Sequence, residues 1–146
     1  MTLFISEKNK SKTFKSSLIY VGITAFIALF GYVYEIFGRG VYSLAMYLAF
    51  LYPLGFGCLF YLALWVFMAY VPSFLVQNIY NTGVAILTCG SIYRGVVEIY
   101  GTPREAMCTA YVIIGSILVG IGLLLYIISF LYNYFKKEKP QEEEEF

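Results

Sequence analysis

The sequence contains no histidine and no aspartate, and these absences exclude several kinds of chemistry. Haem ligation by imidazole and the common zinc sites need histidine or clustered cysteine ligands. The three cysteines, Cys58, Cys89 and Cys108, are far apart and form neither a CxxC redox pair nor a metal-binding knuckle. We therefore predict no metal site, no cofactor, and a packing role for the cysteines.

Charged residues are also scarce. They make up 13% of the chain, whereas hydrophobic residues make up 60%. A soluble domain needs roughly a quarter of its residues charged to cover its surface. The composition therefore indicates an integral membrane protein, and 146 residues suffice for one compact unit.

Apolar runs divide the chain into four segments, each long enough to cross a hydrocarbon layer of about 30 Å as a helix. The prediction is an all-α bundle of four transmembrane helices in residues 17–135. A basic segment at 1–16 precedes the bundle and a charged tail at 136–146 follows it. The four predicted spans are about 17–37, 41–70, 74–101 and 106–134.

Local signals refine these spans. Pro53 predicts a kink within the second span, because proline interrupts the helical hydrogen-bond ladder. Ser73 is suited to cap the third helix, and Gly101 with Pro103 predicts its end. Tyrosines near span ends, Tyr20 among them, are typical of an aromatic belt at the membrane interface.

All seven lysines lie in the two terminal segments, which predicts that both ends face the cytoplasm. The opposite side would hold only Arg39, Arg94 and Arg104. The loop at 71–78 carries no basic residue, so it contributes nothing to this argument. Three or five spans would place the two lysine clusters on opposite sides, and that alternative stays open.

A short internal repeat appears when the chain is shifted by 63 residues. The shift aligns residues 34–38 with residues 97–101, and each stretch has a glutamate followed three residues later by a glycine. One interpretation is a pair of parallel helical hairpins derived by duplication. The other is that membrane helices commonly end in tyrosine, glycine and one charge.

Weakly polar residues recur at helical spacing on the first and third spans. Such faces turn away from lipid, either toward neighbouring helices or toward a hydrated path for an ion or small polar solute. Both interpretations stay open. The residues on the two stripes are Ser17, Thr24, Ala28, Gly31, Glu35 and Gly38, and Gln77, Asn81, Thr88, Ser91, Gly95 and Glu98.

Two pairs of opposite charges lie near the ends of these stripes. Arg94 and Glu98 can pair on one helix, and Glu35 with Arg39 repeats the spacing in reverse order. Alternatively, Arg94 could pair with Glu35 across two helices. The pairs could be interfacial ion pairs, or the two glutamates could form a carboxylate pair in a hydrated vestibule. The candidate path residues are Glu35, Glu98, Arg39, Arg94, Asn81, Thr88, Ser91 and Thr24.

Three short stretches between residues 81 and 101 carry a resemblance: Asn81-Thr82-Gly83, then Gly90-Ser91-Ile92-Tyr93, then Glu98-Ile99-Tyr100-Gly101. They resemble the uncharacterised small four-span membrane proteins of Gram-positive bacteria. The resemblance implies a bacterial plasma membrane and a four-span fold, and it implies no substrate, partner or catalytic residue.

Two function classes follow from the sequence. The first is a transporter or channel component for an ion or small polar solute, acting as a homo-oligomer. The alternative is a non-transporting accessory, anchor or interaction subunit of a larger membrane complex. The chain has no nucleotide-binding loop, and neither a histidine nor an obvious buried lysine to activate a serine, which argues against an enzyme; only a glutamate pair leaves that alternative open. The lysines adjoin a span, which favours the lipid bilayer over nucleic acid as their partner.

Overall fold

A computed structural model describes residues 2–38, 40–66, 73–101 and 105–137 of the chain. Over these residues the fold is helical and contains no strand, which confirms the all-α prediction. The elements in chain order are α1 (Thr2–Phe37), α2 (Leu44–Tyr47), a π-helical segment (Pro53–Leu59), α3 (Phe60–Val66), α4 (Phe74–Tyr100) and α5 (Glu105–Lys137).

Helix α1 is longer than the predicted span. It begins at Thr2 and has 36 residues, which corresponds to a length of about 54 Å. Residues 2–16 contain neither proline nor glycine, so nothing interrupts the backbone ladder where the composition changes at Ser17. The predicted boundary at residues 16 and 17 is therefore a change in polarity within one helix.

The second predicted span is not a single helix. The four-residue α2 ends at Tyr47, and a turn follows at 48–50. The helix then resumes and becomes π-helical from Pro53. The predicted irregularity at Pro53 is present and extends over a longer stretch than one kink. Residues 67–70 of this span lie outside the described residues.

Helices α4 and α5 form the second half of the chain. Ser73 precedes α4 in an extended conformation, but its side chain makes no capping hydrogen bond. Gly101 ends α4 in the left-handed region, with φ of 69°, and its N–H bonds the carbonyl of Val97. Only glycine adopts this conformation without strain, which explains why the helix ends there. Pro103 lies outside the described residues.

Two helices in the described part of the chain are long and apolar enough to cross a membrane: Ser11–Phe37 and Glu105–Asn133. The helix Pro53–Val66 is apolar but short, about 20 Å long. Helix α4 has the length, but polar residues reduce its hydropathy. These residues are Gln77, Asn78, Asn81, Thr82, Thr88 and Ser91.

Glycines bring α4 and α5 together as an antiparallel hairpin. A Cβ added at Gly83 would lie 2.6 Å from the backbone nitrogen of Val119, and one at Gly122 would lie 2.9 Å from the Cα of Tyr80. Gly90 and Gly115 are approached in the same way, by Tyr111 and Leu87. The backbones approach closely because these glycines have no side chains.

In the first half of the chain, α1 packs along the π-helical segment and α3. A Cβ at Gly57 would overlap the ring of Tyr20, and Phe14 contacts Trp65 with ring centroids 5.7 Å apart. As residue numbers rise along α1 they fall along α3, so the two helices are antiparallel.

The short helix α2 lies between the two halves. Met46 is 1% exposed and touches the positions of Gly31 on α1 and Gly95 on α4. The main apolar core lies further along the helices and consists of Tyr20, Cys58, Tyr61, Leu64, Tyr80, Val84, Leu87 and Val119.

The internal repeat predicts that the first helix of each hairpin, α1 and α4, runs in the same direction. They do, since Tyr20 bonds to Asn81 near one end and Gly38 approaches Ile99 near the other. The junctions differ, however, because positive φ falls on Gly101 after α4 and on Gly40, not Gly38, after α1.

The outward surfaces of α1 and α5 are strongly apolar. Phe26 is 68% exposed and Leu124 61% exposed, and many similar residues surround them. Gly120 also faces outward, with no atom within 4 Å of an added Cβ, and Ser116 is exposed. Water is a poor solvent for such extended apolar faces, which indicates contact with lipid or with another protein.

Alanine substitutions at these glycines should separate the buried from the outward face of α5. Gly122→Ala places a methyl group against the backbone of α4, so we expect a loss of roughly 1–3 kcal/mol in unfolding free energy. Gly120→Ala meets only open space and should leave stability unchanged or raise it by up to about 1 kcal/mol. Thermal unfolding in detergent measures both, and equal destabilisation would contradict the described packing.

Candidate functional site

The polar residues of the two predicted stripes gather at two places. We call the first the tyrosine cluster, formed by Tyr20, Tyr61 and Asn81. We call the second the carboxylate cluster, formed by Ser43, Arg94 and Glu98. Each cluster joins the two halves of the chain.

Asn81 is the centre of the tyrosine cluster. Its Oδ1 accepts hydrogen bonds from the hydroxyls of Tyr20, at 2.9 Å, and Tyr61, at 2.8 Å. The two rings are stacked, with centroids 5.7 Å apart and an interplanar angle of 21°. One amide oxygen thus connects α1, α3 and α4, and the Tyr20 hydroxyl is a direct link between α1 and α4.

The π-helical segment adjoins this cluster and is held by side chains of its neighbours. The hydroxyl of Tyr80 donates to the carbonyl of Phe56 at 2.6 Å, and Ser17 Oγ donates to the carbonyl of Cys58 at 3.4 Å. A hydroxyl buried among apolar groups is costly without a partner. These backbone carbonyls therefore satisfy polar groups of α4 and α1 and fix the segment between them.

Glu98 is the centre of the carboxylate cluster. Its Oε1 pairs with Arg94 Nε at 2.8 Å, and its Oε2 accepts from Ser43 Oγ at 2.6 Å. Ser43 also caps α2, because its Oγ accepts from the backbone N–H of Met46 at 3.3 Å. The side chains of Arg94 and Glu98 are 59% and 40% exposed, so this cluster lies at the edge of the packed region.

The smaller polar residues of the stripes bond to backbone carbonyls. Thr24 and Thr88 donate to the carbonyls four residues earlier in their own helices, at 2.7 and 2.8 Å. Ser91 donates across to the carbonyl of Ala45 at 2.7 Å, which joins α4 to α2. These three side chains are buried, and each donates its hydroxyl hydrogen to a carbonyl of the same chain.

The two predicted charge pairs have different outcomes. Arg94 pairs with Glu98 on its own helix and not with Glu35. Glu35 is half-buried at the end of α1, and Arg39 lies outside the described residues, so the Glu35–Arg39 pair stays a prediction. Since Gly38 approaches Ile99, both glutamates lie toward the same end of the molecule.

Sequence reasoning missed three residues of the two clusters. Tyr20, predicted at the membrane interface, is buried in the tyrosine cluster, and so is Tyr61, one of fifteen tyrosines in the sequence. Ser43, only 2% exposed, follows a glycine-containing junction and looks like a loop residue in sequence. The serine-cap pattern before α2 is the one signal that could have drawn attention to it.

The arrangement as a whole joins helices through polar contacts. Within the part of the chain that the structure describes, no fully buried side-chain nitrogen or oxygen lacks a hydrogen-bond partner. The same residues contain no group of three side chains able to hold a metal ion. The comparisons with known proteins add nothing to this geometry: no family model, curated protein or solved structure matches the chain.

Removing the hydroxyl of Tyr61 tests the tyrosine cluster. Tyr61→Phe should lower the unfolding free energy by about 1 kcal/mol, and Asn81→Leu by roughly 1–3 kcal/mol because two buried hydroxyls lose their acceptor. In the Asn81→Leu background, Tyr61→Phe should cost nothing. Tyr132→Phe, at a position that is 68% exposed, is the matched control and should change little. Additive losses in unfolding experiments would contradict a shared hydrogen bond.

The carboxylate cluster should respond unequally to substitution of its members. Ser43→Ala removes a helix cap and a bond to Glu98, so we expect a loss of about 1–2 kcal/mol. Arg94→Gln removes only an exposed ion pair, which contributes about 0–1 kcal/mol. Unfolding free energies in detergent compare the two variants, and a larger effect of Arg94→Gln would contradict this ranking.

Proposed function

We propose that the protein crosses a bacterial plasma membrane four times, with both termini in the cytoplasm. The apolar outer faces of α1 and α5 support insertion in lipid. The antiparallel pairing of α1 with α3 and of α4 with α5 supports an even number of crossings, since it returns the chain to the end where it began. The polar character of α4 suits a helix that is covered by α5 and α2.

Within that membrane we propose a non-transporting role, as an accessory or interaction subunit of a larger complex. The observation that carries this proposal is the use of the stripe residues. Thr24 and Thr88 bond to carbonyls of their own helices, whereas Ser91 and Asn81 bond across helices and hold them together. Groups that line a path for a solute are instead expected to face a hydrated cavity.

The outer surfaces support the same role. Gly120 on α5 and Gly22 on α1 have open space around an added Cβ, so another helix can approach there closely. The packing glycines of the chain's own hairpin are different ones, which leaves these two positions for a different protein.

A transporter or channel component, assembled as a homo-oligomer, is the second candidate. It is favoured by the location of Glu98, whose side chain is 40% exposed at the same end of the molecule as Glu35. Water could then reach both carboxylates, and a carboxylate pair could bind a cation or exchange a proton.

Reconstitution of the purified protein in liposomes decides between the two roles. For an accessory subunit, we expect proton and potassium fluxes equal to those of protein-free liposomes. For a transport component, flux should exceed that background and should fall at least about tenfold in Glu98→Gln, since the removed charge acts directly on the ion. Ser116→Ala, at an exposed position outside both clusters, is the control and should leave the flux unchanged.

Isolation from native membranes supplies the positive result for the accessory role. A tagged protein should retain a second, different polypeptide in mild detergent. Gly120→Leu should release that polypeptide without lowering the stability of the chain itself, because the added side chain meets nothing within the protein. A protein that purifies alone and conducts ions would contradict the accessory role.

A further inference from the structure

The first turns of α1 carry four lysines, at positions 8, 10, 12 and 15. The N-terminal part of α1 lies beside the end of α3, where Phe14 contacts Trp65, and α3 contacts the C-terminal part of α5 through Phe60 and Tyr126. The N-terminal end of α1 and the C-terminal end of α5 therefore lie on the same side of the helical core. The other end carries Glu35, Arg94 and Glu98.

Two lysines form a stripe on α1. A helix advances about 100° per residue, so positions 12 and 15 fall within about 60° of one another, whereas position 10 falls on another face. The side chains of Lys12 and Lys15 are exposed, while Thr13 and Ser17 face the protein. The lysine stripe is thus on the side of α1 that points away from the other helices.

The same side continues as an apolar surface. Ile19, Ile23 and Phe26 are exposed on it, in line with Lys12 and Lys15. Lys12 precedes Ile19 by seven residues, or about 10 Å along the axis. A phospholipid whose acyl chains lie against the apolar surface would have its headgroup at the level of the lysines. Because α1 is continuous there, the lysines keep a fixed position relative to the apolar surface.

We propose that the stripe formed by Lys12 and Lys15 is a binding surface for the headgroups of anionic phospholipids. The proposal rests on the membrane location proposed above and adds the class of lipid. Charge complementarity supports it, because basic residues next to a span attract anionic lipid and the attraction decays within a Debye length of about 10 Å. Lys12 and Lys15 lie about 9 and 5 Å along the axis from Leu18, where the apolar turns begin.

The single tryptophan of the chain, Trp65, provides a probe at the depth of the stripe, because it contacts Phe14, the residue before Lys15. The full-length protein is reconstituted in vesicles of equal parts phosphatidylcholine and phosphatidylglycerol. In one preparation the phosphatidylcholine is brominated near the headgroup end of its acyl chains, and in the other the phosphatidylglycerol is. The bilayers differ only in which lipid quenches tryptophan fluorescence.

For the wild-type protein we expect stronger quenching by brominated phosphatidylglycerol, and a weaker preference at high salt. The double substitution Lys12→Gln with Lys15→Gln should reduce the enrichment of this lipid by roughly fivefold for each lysine removed. Lys10→Gln, off the stripe, should preserve the preference. Helical circular dichroism checks that the variants fold.

Equal quenching by the two lipids in the wild type would overturn the proposal, and so would a preference that survives the double substitution. Both results would leave the membrane location intact, because brominated lipid still quenches. Absence of quenching by either lipid would instead contradict the membrane location and the lipid proposal together.

Discussion

The structure depends on one constraint: polar side chains on mostly apolar helices need partners from the same chain. The tyrosine cluster meets this constraint with a single amide oxygen, because Asn81 accepts from Tyr20 and Tyr61 and thereby connects three elements. In apolar surroundings no water competes for the oxygen or replaces a lost donor. The same bonds that satisfy these groups also decide which helices lie next to one another.

The π-helical segment and the glycine contacts follow from this arrangement. The carbonyls of Phe56 and Cys58 accept from Tyr80 and Ser17, so an irregular stretch of backbone is held from two sides. Gly57 allows the ring of Tyr20 to approach that stretch and reach Asn81. A side chain at Gly57 would displace the ring, so the close approach and the hydrogen bond depend on each other.

Much of the fold could be predicted from composition and periodicity. Lack of charge and long apolar runs predict helices, and Gly101 marks the end of α4 because only glycine readily adopts its backbone conformation. The inward location of Thr24, Thr88 and Ser91 also follows from their helical spacing. These features depend on short-range patterns, which a single sequence contains.

Features that depend on distant partners could not be predicted. The break at 48–50 contains neither glycine nor proline, and α2 is held instead by Met46 packing against Gly31 and Gly95. Likewise, the packing face of α5 uses Gly115 and Gly122, while Ser116 and Gly120, which satisfy the same small-residue pattern, face outward. Gly115 packs against Leu87 and Gly122 against Tyr80, both on α4. The small-residue pattern of α5 alone does not show which of its faces meets these two residues.

In the proposed topology, the short helix Pro53–Val66 and the polar helix α4 cross the membrane together with α1 and α5. A topology reporter inserted between Val66 and Phe74 tests it most directly, with fusions at the two termini as references. Four crossings predict that this reporter and both termini lie on the cytoplasmic side. If only α1 and α5 crossed, the termini would stay cytoplasmic while the inserted reporter appeared outside, and that result would contradict the account.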